Sequence, residues 1–128
     1  MKLNPDCIRD ILIAVEDNTG YDKIYEIHRE DLTKKFPNYS YNEIMYHIHQ
    51  CNNFGYIIFS DTNCYVYLED LTPKGHLFLA DIRDNSNWLK IKNIASTVGS
   101  FSLDALKTIA TNVISQSIIN TLTMNNFK

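Results

Sequence analysis

The chain has 128 residues, a mass of 14.8 kDa and a net charge of -3, from 12 basic and 15 acidic side chains. That length is one domain's worth and can bury a core without staples. With 45% hydrophobic and 21% charged residues, it is neither a disordered chain nor a simply basic nucleic-acid binder.

Cys7, Cys51 and Cys64 are odd in number and widely spaced, with no CxxC pair. This argues against a disulfide framework or a four-cysteine zinc site and points to a reducing compartment. The opening MKLNPDCIRD lacks the apolar run of a signal peptide. The uncharged stretch from Thr108 to Phe127 is mostly Thr, Asn, Ser and Gln, which falls short of the ~20 predominantly apolar residues of a spanning helix. These features lead to the expectation of a soluble cytoplasmic protein.

Asn4-Pro5-Asp6 is a helix start: Asn caps, Pro takes the first helical position and Asp favours the positive end of the dipole. Ile8, Ile11, Leu12 and Val15 follow at helical spacing, and Asn18-Thr19-Gly20 stops the helix. Tyr25 to His28 reads as a minimal strand before a second helix, Arg29 to Phe36, which Pro37 ends. A third helix opens on a capping box, Ser40-Tyr41-Asn42-Glu43, with Tyr39 and Ile44 at staple spacing. Its inward positions are Ile44, Ile48 and Cys51, and Gly55 closes it.

Tyr56 to Phe59 and Cys64 to Leu68 are rich in aromatic and β-branched residues. Ser60-Asp61-Thr62-Asn63 between them is turn chemistry, so they form a hairpin. Thr72-Pro73 starts a fourth helix, broken at Asp84-Asn85-Ser86. A fifth carries Trp88, Ile91, Ala95 and Val98 and ends at Gly99; Ser102 caps a sixth. Three helices followed by a two-stranded wing is the winged helix-turn-helix plan. The expected architecture is α+β: a winged helix-turn-helix core over 1–70, and a helical extension over 71–128 that packs on it.

Several segments carry a resemblance to a known family. They are Lys2-Leu3-Asn4-Pro5-Asp6-Cys7-Ile8-Arg9-Asp10-Ile11-Leu12, Tyr46-His47-Ile48 and Asp70-Leu71-Thr72-Pro73-Lys74-Gly75-His76. Phe78-Leu79-Ala80, Ile82-Arg83-Asp84 and Gly99-Ser100-Phe101-Ser102-Leu103 complete the set. Together they resemble a bacterial and phage family, DUF2513, over nearly the whole chain. The Leu-Thr-Pro-Lys-Gly element is also similar to winged-helix regulators of the MarR and PadR kind. The resemblance implies a winged-helix fold and a phage or mobile-element setting, and it carries over no catalytic residue.

On the third helix the outward positions are Asn42, Glu43, Tyr46, His47, Gln50 and Asn53. In a DNA-binding winged helix this face enters the major groove, where Asn and Gln pair with adenine. Tyr41, Asn42, Tyr46, His47 and Gln50 are the base-reading candidates, with Lys34, Lys35 and Lys74 for phosphates. Against DNA, no Lys or Arg lies between Ser40 and Gly55, and the wing tip Asp61-Thr62-Asn63 is acidic.

His47 and His49, two apart on a helix, point about 200° apart and cannot chelate one ion. No GxSxG, HExxH or phosphate-binding Gly-rich loop is present, and Arg83 beside Asp81 and Asp84 marks a solvated helix end. No enzyme activity, cofactor or metal is expected. The sixth helix is poorly charged with a wide apolar arc, so Leu106, Val113, Ile114, Ile118 and Leu122 are candidates for a dimer interface.

Two functions compete. One is a dimeric regulator that binds double-stranded DNA. The other is a winged helix that binds a host or defence protein and no DNA, through its acidic surface and tyrosines. Residues 1–70 hold six basic and twelve acidic side chains, a net charge of -6, whereas residues 71–128 carry +3. The acid therefore falls on the half expected to meet DNA.

Overall fold

The computed structural model describes residues 1–126. Its elements in chain order are α1 (Pro5–Asn18), β1 (Tyr25–His28), a 3₁₀ turn (Arg29–Asp31), α2 (Leu32–Lys35), α3 (Tyr41–Asn53), β2 (Ile57–Asp61), β3 (Tyr65–Leu71), α4 (Pro73–Ile82), α5 (Asn85–Val98) and α6 (Leu103–Asn126). Six α-helices and one antiparallel sheet among the described residues make this an α+β protein. No helix among them is long and apolar enough to cross a membrane.

The chain divides into two compact units, Met1–Leu79 and a second that begins at Ala80. The first unit thus extends past residue 70 into α4. The reason lies in the packing: the Phe78 ring stacks on Tyr56 at 4.7 Å, and Gly75 lies against the Tyr56 carbonyl. A Cβ at Gly75 would collide with that carbonyl, so only glycine allows the approach.

In the first unit the sheet order is β1-β3-β2. Register sets Ile27 against Val66 and Tyr25 against Leu68. On the other side of β3, Phe59 pairs with Leu68 and Ile57 with Leu71. The buried members of these rows, Ile27, Val66, Leu68, Ile57 and Leu71, join Ile8, Ile11 and Leu12 of α1 and Ile44, Ile48 and Cys51 of α3 in the core. Each such aliphatic side chain contributes roughly 1.5–3 kcal/mol. A bulge leaves Glu69 opposite the step from Ile58 to Phe59. This is how β3 runs on through Glu69 and Asp70 to Leu71 while Leu68 and Leu71 both stay buried.

Two elements differ from expectation. The second helix is a 3₁₀ turn and a single α-helical turn, and Phe36 has left the helix at φ -128, ψ 71. Pro37 explains this, since the residue before proline is pushed out of the α region. The hairpin turn is also tighter than Ser60 to Asn63. β2 continues to Asp61, and the Thr62 hydroxyl accepts from the amides of Cys64 (3.3 Å) and Tyr65 (3.0 Å).

The second unit is built on α5 and α6. Asp84 caps α5 by accepting from Asn87 N at 2.9 Å, and Gly99 ends it in the left-handed region at φ 76. Ser102 then caps α6 by accepting from Ala105 N at 3.1 Å. Trp88, Ile91 and Ala95 of α5 and Leu103, Leu106 and Ala110 of α6 are buried.

Candidate functional site

The face of α3 is the first place to look for recognition chemistry. The helix starts on the capping box: Ser40 Oγ accepts from Glu43 N, and Glu43 Oε1 accepts from Ser40 N, both at 3.2 Å. Its entry is anchored by Tyr39, whose hydroxyl donates to Asp10 Oδ2 on α1 at 2.6 Å. Burial first, then this bond to a carboxylate, pushes the Tyr39 hydroxyl well above its ordinary pKa.

The base-reading candidates do not share one exposed face. Asn42 is exposed and Tyr41 is 39% exposed, whereas Tyr46 and Gln50 are half-buried. His47 requires a correction: it is fully buried. Its Nδ1 lies 2.6 Å from the Glu43 carbonyl, and its Nε2 accepts from Asn4 N at 2.8 Å. That pairing places the proton on Nδ1 and leaves neither ring nitrogen for a base or a metal. The helical period put His47 at the margin of the outward arc. The N-terminal segment ahead of α1 covers that margin.

Two of the cations beside α3 are committed to the chain's own groups. Arg29 Nε donates to Thr62 O and Arg29 NH1 to the Tyr41 hydroxyl, each at 2.9 Å, while NH2 pairs with Asp61. One guanidinium thus ties the hairpin tip to the start of α3. Lys74 Nζ donates to the Phe54 carbonyl at 2.8 Å and sits 4.0 Å from the Phe54 ring centroid. Lys34 is exposed, 3.5 Å from Asp31. Lys35 is exposed and lines a cavity of about 280 Å³ with Asp10, Asp17, Tyr25 and Tyr39.

The Leu71-Thr72-Pro73-Lys74-Gly75 element acts as a clamp. Leu71 is buried, and Thr72 Oγ1 accepts from Gly75 N at 3.0 Å and donates to the Gly55 carbonyl. Thr72 N donates to Tyr56 O at 3.0 Å. Pro73 begins α4, and Lys74 reaches back to Phe54. All of these groups fasten α4 to the end of α3. The opening segment is similar: Asn4 Oδ1 accepts from Asp6 N (3.0 Å) and Cys7 N (3.4 Å), and Asn4 N meets His47. The segments that carry the family resemblance therefore build the scaffold.

The surface that the sequence reading missed is the outer face of the sheet. Strand alternation turns Val66, Leu68 and Ile27 inward, so Tyr65, Tyr67, Glu26 and His28 face outward. Glu26 pairs with Tyr67 and His28 with Tyr65; on the other edge Ser60 pairs with Tyr67 and Ile58 with Asp70. The Tyr65 and Tyr67 rings lie 6.1 Å apart, and the His28 ring stands edge-on to Tyr65 at 5.1 Å. Ile58 is 49% exposed. None of these positions holds Lys or Arg. The alternation was visible in the sequence, but the register bringing Glu26 and His28 beside the tyrosines was not.

Of the dimer candidates, Leu106 is corrected: it is fully buried within the second unit. Val113 and Ile114 are half-buried, and Ile118 and Leu122 are exposed.

A family model described as "Hypothetical protein (DUF2513)" matches residues 2–102, and the chain belongs to that family. The match ends where α6 begins. No curated protein and no solved structure matches the chain.

Proposed function

We propose that this DUF2513 protein is a winged helix that binds a protein partner through the outer face of its sheet, and that the partner presents Lys and Arg there. The element order supports the winged-helix reading, with a strand between the first two helices and a β2–β3 hairpin after the third. The observation that carries the function is the composition of the outer face: two tyrosines, a histidine, an exposed isoleucine and the carboxylates Glu26 and Asp70, with no cation. Aromatic residues are enriched at protein interfaces, and Tyr offers large rigid contact area to aliphatic and guanidinium groups. Charge agrees, since residues 1–79 hold seven basic and twelve acidic side chains, a net charge of -5.

The second reading is the DNA-binding regulator. The exposed Tyr41, Asn42 and Asn53 on α3, with Lys34 and Lys35 on α2, favour it. It is the weaker reading because Arg29 and Lys74, the cations that bond Tyr41 and Phe54 at the two ends of α3, are held by Asp61 and by the Phe54 carbonyl. Affinity for DNA comes largely from neutralised phosphates.

Amide shifts of the full chain discriminate between the two, with an Arg/Lys-rich peptide and an AT-rich duplex as probes at low salt. The peptide is expected to shift Glu26, His28, Tyr65, Tyr67 and Asp70, and the duplex to leave α3 unmoved. Duplex shifts at Tyr41, Asn42 and Asn53 that fade with salt would replace the proposal by the regulator.

A further inference from the structure

The outer face of the sheet changes character along β3. Strict alternation from Tyr65 and Tyr67 would carry Glu69 outward, Asp70 inward and Leu71 outward. The bulge opposite the step from Ile58 to Phe59 breaks that order. Leu68 and Leu71 are both buried, and between them Glu69 is half-buried and Asp70 exposed. The extra residue therefore sets two successive carboxylates on one face, at the end of the tyrosine row.

Tyr67 stands at the centre of this end. Glu26 of β1 lies directly across from it. In antiparallel pairing such neighbours have Cβ atoms about 4.5–5.5 Å apart, and the diagonal step from Glu26 to Glu69 is about 7–8 Å. Tyr65 is the one ring beside Tyr67 among the described residues, so the side of Tyr67 toward Glu69 carries no ring. On the β2 edge, Ile58 pairs with Asp70 and is 49% exposed. The carboxylates are unequally engaged. Asp70 Oδ1 accepts from the Leu71 amide at 2.8 Å. Glu26 and Glu69 have no hydrogen bond or ion pair among the described residues. Arg29, the basic side chain that follows β1, is taken up by Asp61 and Tyr41 instead.

We infer, resting on the sheet-face reading, that this end of the face is a slot for an arginine of the partner, whose guanidinium lies flat on Tyr67 and whose edge N–H groups reach Glu26 and Glu69. The chemistry selects arginine over lysine. A guanidinium is planar, stacks on an aromatic face and presents donors along more than one edge, so it meets a ring and two separated carboxylates at once. An ammonium is a compact, strongly hydrated point charge with no such fork. Two unpaired carboxylates on one face also repel each other, and a cation between them turns that repulsion into attraction. Ile58 offers apolar contact to the methylene stem of the same arginine.

Amide-shift titration of the full chain tests the slot with two capped Gly/Ser peptides of equal length and charge, one carrying arginines and the other lysines. The arginine peptide is expected to bind about five- to tenfold more tightly and to shift Glu26, Tyr67 and Glu69 most. Tyr67→Leu should erase the preference and leave the two peptides equal. Glu26→Gln with Glu69→Gln keeps both side-chain shapes and should weaken the arginine peptide about tenfold or more. Asp17→Asn with Asp104→Asn removes the same charge from α1 and α6 and should leave binding unchanged. The dispersed amide spectrum of each variant reports that it folds. Equal affinities of the two peptides for the unaltered chain, with shifts still on the sheet, overturn the slot while the sheet-face reading stands. Binding of neither peptide overturns both. An arginine preference that survives Tyr67→Leu overturns the slot, as does a loss in the double asparagine variant equal to that in the double glutamine variant.

Discussion

His47→Ala is the perturbation that most sharply separates burial from recognition on α3. The imidazole is fully enclosed and accepts the Asn4 amide at 2.8 Å. Removing the ring opens a cavity, which for a side chain of this size costs about 2–4 kcal/mol. It also orphans a part-buried N–H, at about 1–3 kcal/mol. The two losses share one collapse of the site, so the combined expectation is about 3–5 kcal/mol, a large fraction of a typical domain's 5–15 kcal/mol. His47→Leu fills most of the volume and loses only the acceptor, so it should cost about 1–3 kcal/mol. Urea unfolding followed by circular dichroism measures both. Hydrogen exchange at the Asn4 amide reports the bond itself, and it should speed up in both variants. A loss under about 1 kcal/mol in His47→Ala, with Asn4 still protected, would refute the reasoning. If that stable variant also lost affinity for a DNA duplex, His47 would return to its expected place as a base-reading residue.

Three further outcomes follow from the first unit. Gly75→Ala should destabilise by about 1–3 kcal/mol, because the new methyl meets the Tyr56 carbonyl. Gly20→Ala, with open space around its Cβ position, should be neutral or stabilise by up to about 1 kcal/mol; equal melting temperatures for the two variants would contradict the clamp. At pH 8 a thiol reagent should label Cys64 quickly and reach the other two only in denaturant. Burial, helped by Asp10 and Glu43, pushes the Cys7 thiol up to about 12, and burial together with Cys7 raises the enclosed Cys51. Two fast-reacting thiols in the folded protein would contradict this. Arg29→Ala should cost no more than about 1 kcal/mol globally, as the pair is partly solvated. It should nevertheless speed amide exchange from Asp61 to Tyr65, and unchanged exchange there would mean that the latch holds nothing.

The elements with local chemistry of their own were legible from the sequence. Asn4-Pro5, Ser40 with Glu43, Thr72-Pro73 and Gly99 act as caps through side-chain and backbone groups that lie within a few residues of one another. What depended on distant partners was not legible. His47 reads as an outward residue until Asn4, 43 positions away, supplies its donor. The value of Arg29 as a cation changes once Asp61, 32 positions away, takes it up. The outer sheet face needed the β1–β3 register, which a four-residue strand does not announce. Candidate contact residues drawn from one helix were therefore the least secure part of the reading.

Folding also sharpens the meaning of the net charge. Of the seven basic side chains in residues 1–79, Arg29 and Lys74 are held by Asp61 and by the Phe54 carbonyl. If the other five all reached phosphates, the slope of log K against log salt would be about -4.5 at the steepest. They would act against twelve acidic residues. Duplex affinity measured at several salt concentrations therefore carries more information than one value. A steeper slope would require cations from the unit that begins at Ala80, where Arg83, Lys90, Lys92 and Lys107 reside. It would move any nucleic-acid contact off α3. A shallow slope with weak affinity is what the acidic, tyrosine-bearing unit predicts, and it is the result consistent with a protein partner on the sheet.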